Sequence, residues 1–328
     1  MKRVCFILLF IFQFVAGKSQ DPQFSQFYAA PLYLAPSMAG SAQYSRLILN
    51  YRDQWPKIKG RFITYSMSFD KYIDKYKSGI GFIFLRDNAG SGKLVTTQAG
   101  LAYSYRIPIT HDFHIQPGLQ FQYYQRKINF NSLTFADQYY GDQLLPSSVE
   151  APPDKQGGHI DFSSSIMGFG KIFWVGFTVD HLMKINQGLK NDDRYVPMKY
   201  SSFGGVNIYL RKSLLRKNER MISVAYQYRN QSAVQQLDLG LYYHQQPFLV
   251  GLWYRGVPLV QTNKTRDALT FAGGLELKQL MFTYSYDMTV SNLITSTGGA
   301  HEISVIYYFN TNNYGRKRKM APVPCPSF

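Results

Sequence analysis

The feature that most constrains this chain is a two-residue alternation that returns again and again in segments of about ten residues. In residues 95–107, Val95, Thr97, Ala99, Leu101, Tyr103, Tyr105 and Ile107 alternate with Thr96, Gln98, Gly100, Ala102, Ser104 and Arg106. In residues 113–124, Phe113, Ile115, Leu119, Phe121 and Tyr123 alternate with His114, Gln116, Gly118, Gln120 and Gln122. Residues 237–244 and 280–287 repeat the pattern. Successive side chains of a strand point to opposite faces, so each segment reads as a strand with one apolar and one polar face. Beyond the first 19 residues no run is long and apolar enough for a membrane-crossing helix. The chain is therefore either an exported soluble protein or a closed barrel that crosses a membrane with strands.

Three observations favour the barrel. Aromatic residues make up 16% of the chain and charged residues only 17%. The apolar faces carry Tyr and Phe near their ends, as the aromatic girdles at lipid–water interfaces do, while the polar faces of Gly, Ser, Thr and Gln suit a wet lumen. The connections alternate in length. Residues 126–158, 183–200, 256–267 and 288–300 make long ones, against short ones at 108–112, 168–170, 245–247 and 278–279. Two further connections on the short side, 70–78 and 211–220, are longer and basic. Barrels of the outer membrane have long outer loops and short periplasmic turns.

The alternation template counts about 14 segments. They span 46–54, 61–69, 79–86, 95–107, 113–125, 159–167, 171–182, 202–210, 221–229, 236–244, 248–255, 268–277, 280–287 and 301–309. The fold class expected is all-β: a transmembrane antiparallel β-barrel of about 14 strands, with an N-terminal non-barrel segment and a short C-terminal periplasmic tail.

The ends have different chemistry. Residues 1–19 read as a signal peptide: Lys2 and Arg3, then an apolar stretch to Ala16, then small residues Gly17 and Ser19. Residues 20–45 do not alternate and are expected to form an ordered plug or periplasmic cap. Phe24, Phe27, Tyr28, Leu32 and Tyr33 are costly to leave in water, at about 1.5–3 kcal/mol for a fully buried large side chain. The barrel takes residues 46–309. A basic tail, 310–328, follows the last strand and carries Arg316, Lys317, Arg318 and Lys319.

Chemistry-bearing motifs are sparse. Cys5 lies in the leader, which leaves Cys325 alone, so neither a disulfide nor a Cys-based metal site is expected. His159 and Asp161 share a strand face and could pair, and Asp180 and His181 are adjacent, but no third ligand stands at metal spacing. AGSGK at 89–93 lacks the full phosphate-binding loop pattern. No enzyme activity, metal or cofactor is expected. The net charge is +16, but an exported chain without a recognition helix is not expected to bind nucleic acid. Its basic runs, 211–220 and 316–319, point to anionic lipid or acidic periplasmic partners. The charged lumen candidates are Arg46, Arg52, Arg106, Asp161, Asp180, Asp238, Glu276 and Lys278, facing either each other or a partner.

Several runs resemble one family: DPQFSQFYAAPLYLAPSMAGS at 21–41, YRDQWP at 51–56, RDNAGSGKL at 86–94, DFSSSIMGFGKIFWVGFTVDHL at 161–182 and KRKMAPVPCPSF at 317–328. Together they are similar to the PorP/SprF outer-membrane proteins of Bacteroidetes. In the opening run, Asp21, Pro22, Phe24, Phe27, Pro31, Leu32 and Tyr33 carry the resemblance. It implies a non-enzymatic outer-membrane component of the type IX secretion or gliding machinery. Such a component binds the C-terminal sorting domain of a secreted surface protein and links it to translocon and periplasmic ring or peptidoglycan-binding components. The outer contacts expected are on the long loops 126–158 and 183–200, with Phe130, Phe135, Tyr139 and Tyr140 on the first. The periplasmic ones are on the basic tail. The competing readings are a porin or small-solute transporter and, without a catalytic constellation to support it, a hydrolase.

Overall fold

The computed structural model describes residues 21–42, 44–90, 94–129, 133–140, 143–149, 158–186, 195–211, 220–232, 234–256, 268–290 and 297–309. Residues 1–19, read as a leader, and the tail at 310–328, with Arg316, Lys317, Arg318 and Lys319, lie outside the described residues, as does Phe130.

Fourteen long strands form the wall. They are β1 (Arg46–Gln54), β2 (Phe62–Ile73), β3 (Ser78–Ala89), β4 (Leu94–Tyr105), β5 (His114–Ile128), β6 (Gly158–Phe169) and β7 (Phe173–Asp180). Then come β8 (Lys199–Arg211), β9 (Arg220–Gln231), β10 (Val234–Gln245), β11 (Phe248–Arg255), β12 (Ala268–Leu277), β13 (Leu280–Thr289) and β14 (Ala300–Tyr308). Every neighbouring pair is antiparallel, and β14 returns to β1 in register from Arg46↔Tyr308 to Gln54↔Ala300. The sheet is therefore a closed 14-stranded barrel without an edge, the only strand architecture that satisfies its backbone within lipid. No helix among the described residues is long and apolar enough to cross a membrane.

The alternation sets the faces. Leu101 and Leu119 point outward and are 62% exposed, while Gln98, Gln116, Gln120 and Gln122 point inward and are at most 5% exposed. Because the side-chain period is two, a one-residue slip would turn every apolar side chain into the lumen, and this fixes the register. At the short-turn end the connections shrink to a few residues at 170–172, 246–247 and 278–279. At the opposite, long-loop end the described part of the 129–157 connection folds a turn (Ala136–Gln138) and a two-residue ladder between Tyr139–Tyr140 and Gln143–Leu144.

Two expectations need correction. Lys278 is not a lumen residue: it sits exposed in the two-residue turn between β12 and β13, with a φ of 41°. The lumen is not uniformly wet either. Trp174, Phe169, Phe203, Tyr242, Trp253, Met167 and Met281 all point inward and are buried. They pack against residues 21–42, which run through the lumen as a strap. The apolar side chains of the strap need an apolar wall, and the barrel supplies it from the face that otherwise reads as polar.

Candidate functional site

The strap owes its shape to its prolines. Pro31 opens a single helical turn (Pro31–Leu34) and Pro36 opens the next (Pro36–Met38), each at a position where a missing N–H costs nothing. The resulting compact path descends from Asp21, at the long-loop end, to Ser41 at the short-turn end, where the chain enters β1.

At the short-turn end the strap backbone is gripped by inward side chains. Asp70 accepts from the Gly40 N–H at 2.9 Å and from Arg46 Nε at 2.6 Å. Gln116 Nε2 donates to the carbonyls of Ser37 and Ala39 at 2.7 and 3.0 Å, and Ser104 Oγ donates to Ala39 at 2.8 Å. Arg106 holds Gln116 in place at 2.8 Å and lies over the Tyr72 ring, 4.5 Å from its centroid. The approach is so close that a Cβ at Gly79 would meet the Ala39 oxygen at 2.1 Å, and one at Gly118 would meet the Ser37 nitrogen at 2.3 Å. Glycine is required at both positions because backbone packs on backbone.

Midway, Asn50 Nδ2 donates to the Ala29 carbonyl at 3.0 Å. Phe27 meets Trp253 edge-on at 5.0 Å and Tyr28 meets Tyr242 at 5.1 Å, geometries that aromatic quadrupoles favour.

Above this, two carboxylates bind the strap. Glu302 accepts the backbone N–H groups of Ser25 and Gln26 at 2.7 and 3.1 Å. Asp287 accepts Ser25 Oγ at 2.6 Å. Arg52 bridges both acids, at 2.7 Å to Asp287 and 3.0 Å to Glu302, and Arg255 adds a contact to Asp287 at 3.1 Å. All four charged groups are buried, so each needs the others to offset its desolvation.

At the long-loop end Asp21 is latched by His181 Nε2 at 2.9 Å and Lys199 Nζ at 3.0 Å. His181 Nδ1 faces Asp161 at 2.7 Å, and Lys199 also pairs with Asp180 at 3.1 Å. Burial alone would lower the His181 pKa. The Asp21 charge and the hydrogen bonds to both carboxylates outweigh it and hold the imidazole up at about 10. Burial would likewise raise the Asp21 carboxyl, but Lys199 and His181 hold it well below the ordinary carboxylate range.

The sequence matches, over residues 16–307, the family described as type IX secretion system membrane protein PorP/SprF. The chain belongs to the PorP/SprF family. A search of curated proteins found no match. Among solved structures, this PorP/SprF barrel is similar to a deletion mutant of the TodX monoaromatic hydrocarbon channel. The TM-score is 0.47 and the identity 10%, over 84% of this chain and 92% of that one. It is also similar to the CymD monoaromatic hydrocarbon channel, with a TM-score of 0.46 and 12% identity over 86% and 93% of the two chains. A third is the KdgM porin, at 0.37 and 9% over 80% and 99%. The closure and strand count stand on this chain's own pairing.

The PorP/SprF segment residues Asp21, Pro22, Phe24, Phe27, Pro31, Leu32 and Tyr33 all lie in the strap. Asp21 is latched, while Phe24, Phe27 and Leu32 are buried at 5% exposure or less. Phe24 packs edge-on against Tyr33 at 5.3 Å. Phe135, Tyr139 and Tyr140 lie on the longest loop, with Tyr139 and Tyr140 63% and 77% exposed. The charged lumen residues pair among themselves: Arg46 with Asp70, Arg52 with Asp287 and Glu302, Asp238 with Arg229, Glu276 with His244. Asp161 pairs with His181, not with His159 of its own strand. Among the described residues no cluster of three or more His, Cys, Asp or Glu side chains could hold a metal.

Sequence reasoning misses Asp70, Asp287, Glu302, Arg255 and Lys199. A signal is present for three of them. Asp70 extends the inward series Thr64, Ser66, Ser68; Asp287 extends Thr283, Ser285; Glu302 precedes Ser304 on the same face.

Proposed function

We propose that this chain is a non-enzymatic outer-membrane component of the type IX secretion or gliding machinery. In this reading it binds the C-terminal sorting domain of a secreted surface protein at its long-loop end and links it to periplasmic components. The observation that carries it is the asymmetry of the barrel. The short-turn half of the lumen is packed with the strap and inward aromatic side chains, while the long-loop half carries a cavity and an exposed aromatic loop. A barrel built so is suited to present a docking face outward and to hold itself shut. Long functional loops on a rigid scaffold are a common way to carry recognition. Family membership supports the secretion context.

The test is gentle affinity purification from native outer membranes, with co-purifying proteins identified by mass. A near-stoichiometric large surface protein, or a periplasmic ring component, is the expected result. The alternative of a porin or small-solute transporter predicts a barrel that purifies alone and passes steady ionic current in a planar bilayer. The strap favours a closed barrel with no such current.

A further inference from the structure

Above the strap lies a cavity of about 730 Å³, within the ~300–1,000 Å³ range of ordinary ligand sites. It reaches the long-loop ends of seven strands: Gln54, Phe62, Ala89, Leu94, Ala268, Thr289 and Ala300 all line it. Its floor is the strap itself, at Leu32 and Tyr33, together with Arg52. Its wall on the β2–β5 side mixes the hydroxyl and amide side chains of Thr64, Thr96, Gln98 and Gln122 with apolar Leu85 and Leu94 and the charged Asp87 and Arg126. The lining holds four carboxylates and four cationic side chains, so it is neutral overall. The deeper ones are already engaged with each other, Asp287 by Arg52 and Arg255, and Lys199 by Asp21 and Asp180.

The occupied part of the lumen shows what such a wall binds. Asn50, Gln116 and Ser104 donate to strap carbonyls, and Ser165 Oγ accepts a strap N–H at 2.7 Å. Amide and hydroxyl side chains there hold a polypeptide by its backbone, beside an apolar wall that takes its side chains. The same side-chain types form part of the cavity wall opposite. Buried backbone groups must find partners, and an incoming backbone here would exchange for wall-to-wall bonds such as Gln98 Nε2 to Gln122 Oε1 at 2.8 Å and Thr64 Oγ1 to Asp87 at 2.6 Å.

We propose that the cavity receives an extended polypeptide segment of low net charge, contributed by the secreted partner and held through its backbone beside the strap. This rests on the reading that the chain docks such a partner, and it assigns the docked segment a place inside the barrel mouth rather than on the loops alone. The partner is then held at two places, the loop surface near Tyr139 and Tyr140 and the mouth lined by Thr96. The strap keeps the inserted segment from passing through, so insertion is dead-ended and retains the partner at the surface.

The experiment uses the full chain with Cys325→Ser as background, and three single cysteines: Thr96→Cys and Thr289→Cys in the cavity, and Tyr140→Cys on the loop. Each variant, folded in detergent, is labelled with a small water-soluble maleimide, with and without a purified type IX C-terminal sorting domain as the probe. A pull-down in parallel reports binding. The expected result is that the sorting domain binds and slows labelling at both cavity positions at least tenfold. Binding with unchanged labelling at Thr96→Cys and Thr289→Cys overturns the insertion and leaves docking at the loops standing. No binding in the pull-down overturns the docking reading and this inference with it.

Discussion

The two halves of the lumen are built from the same fourteen strands and behave differently. In the short-turn half the strap and the wall approach to the point where Gly79 and Gly118 have no room for a side chain. In the long-loop half the wall stands back and leaves a cavity. The difference comes from the strap's course. Its two proline-initiated turns fill the lumen near β3–β6, and above them its first residues lie along β9–β10 and β13–β14, through contacts to Gln231, Gln236, Asp287 and Glu302. One side of the upper lumen is thereby left open. The contrast teaches that one segment can make a barrel both sealed and receptive.

The largest effect is expected where the two halves meet. Arg52→Met leaves Glu302 without its cation and removes one of two from Asp287, in a setting where breaking a buried pair costs about 3–5 kcal/mol. The urea midpoint of the detergent-folded barrel should fall accordingly. An unchanged midpoint would mean that the upper strap is not held by this network.

Gly118→Val comes next. Its side chain would meet the strap backbone at Ser37, and overpacking of this kind costs about 1–3 kcal/mol. The expected readout is a strap that becomes open to added protease while the wall remains resistant. A variant whose strap resists cleavage as well as the parent would dissolve the distinction between the halves.

The latch gives a smaller and pH-dependent effect. His181 has a raised folded pKa, so its contribution is complete below its unfolded value of about 6.5 and is lost as pH rises through about 10. Asp21 has a depressed pKa, so its contribution is present above its unfolded value and is lost only as pH falls well below it. Between about pH 5 and 6 the latch should be flat, and its contribution should then fall steadily as pH rises from about 6.5 toward 10. An NMR titration should find the His181 imidazole still protonated at about pH 8; a midpoint near its ordinary value would break the latch argument.

The smallest effect is expected in the cavity. Thr96→Val faces the open space and should change the unfolding free energy by no more than about 0.5 kcal/mol. A large loss there would show that the long-loop half is packed like the other.

Much of the wall is legible in the sequence. The segments 46–54, 248–255 and 268–277 coincide with β1, β11 and β12, and the remaining eleven overlap their strands to within a few residues. The alternation also assigns inside and outside, as at Leu101 against Gln98. The inward aromatic residues are harder to see. Tyr242 lies in the polar series Asp238, Gly240, His244, where it reads as one exception, and only the facing Tyr28 explains it. The Asp161 partnership is hidden for a related reason. The sequence places His159 two residues away on the same face, whereas His181 reaches Asp161 from the end of the neighbouring strand.

By itself, the sequence determined the strands, their faces and the closed-barrel class, because period-two alternation is a local property written in each short segment. The tertiary structure alone decided which charges meet, where the strap runs and which half of the lumen stays open. Those outcomes depend on contacts such as Ser25 to Glu302, 277 residues apart along the chain. Such contacts exist only once β14 has closed onto β1 and the barrel has set the width that the strap must fill.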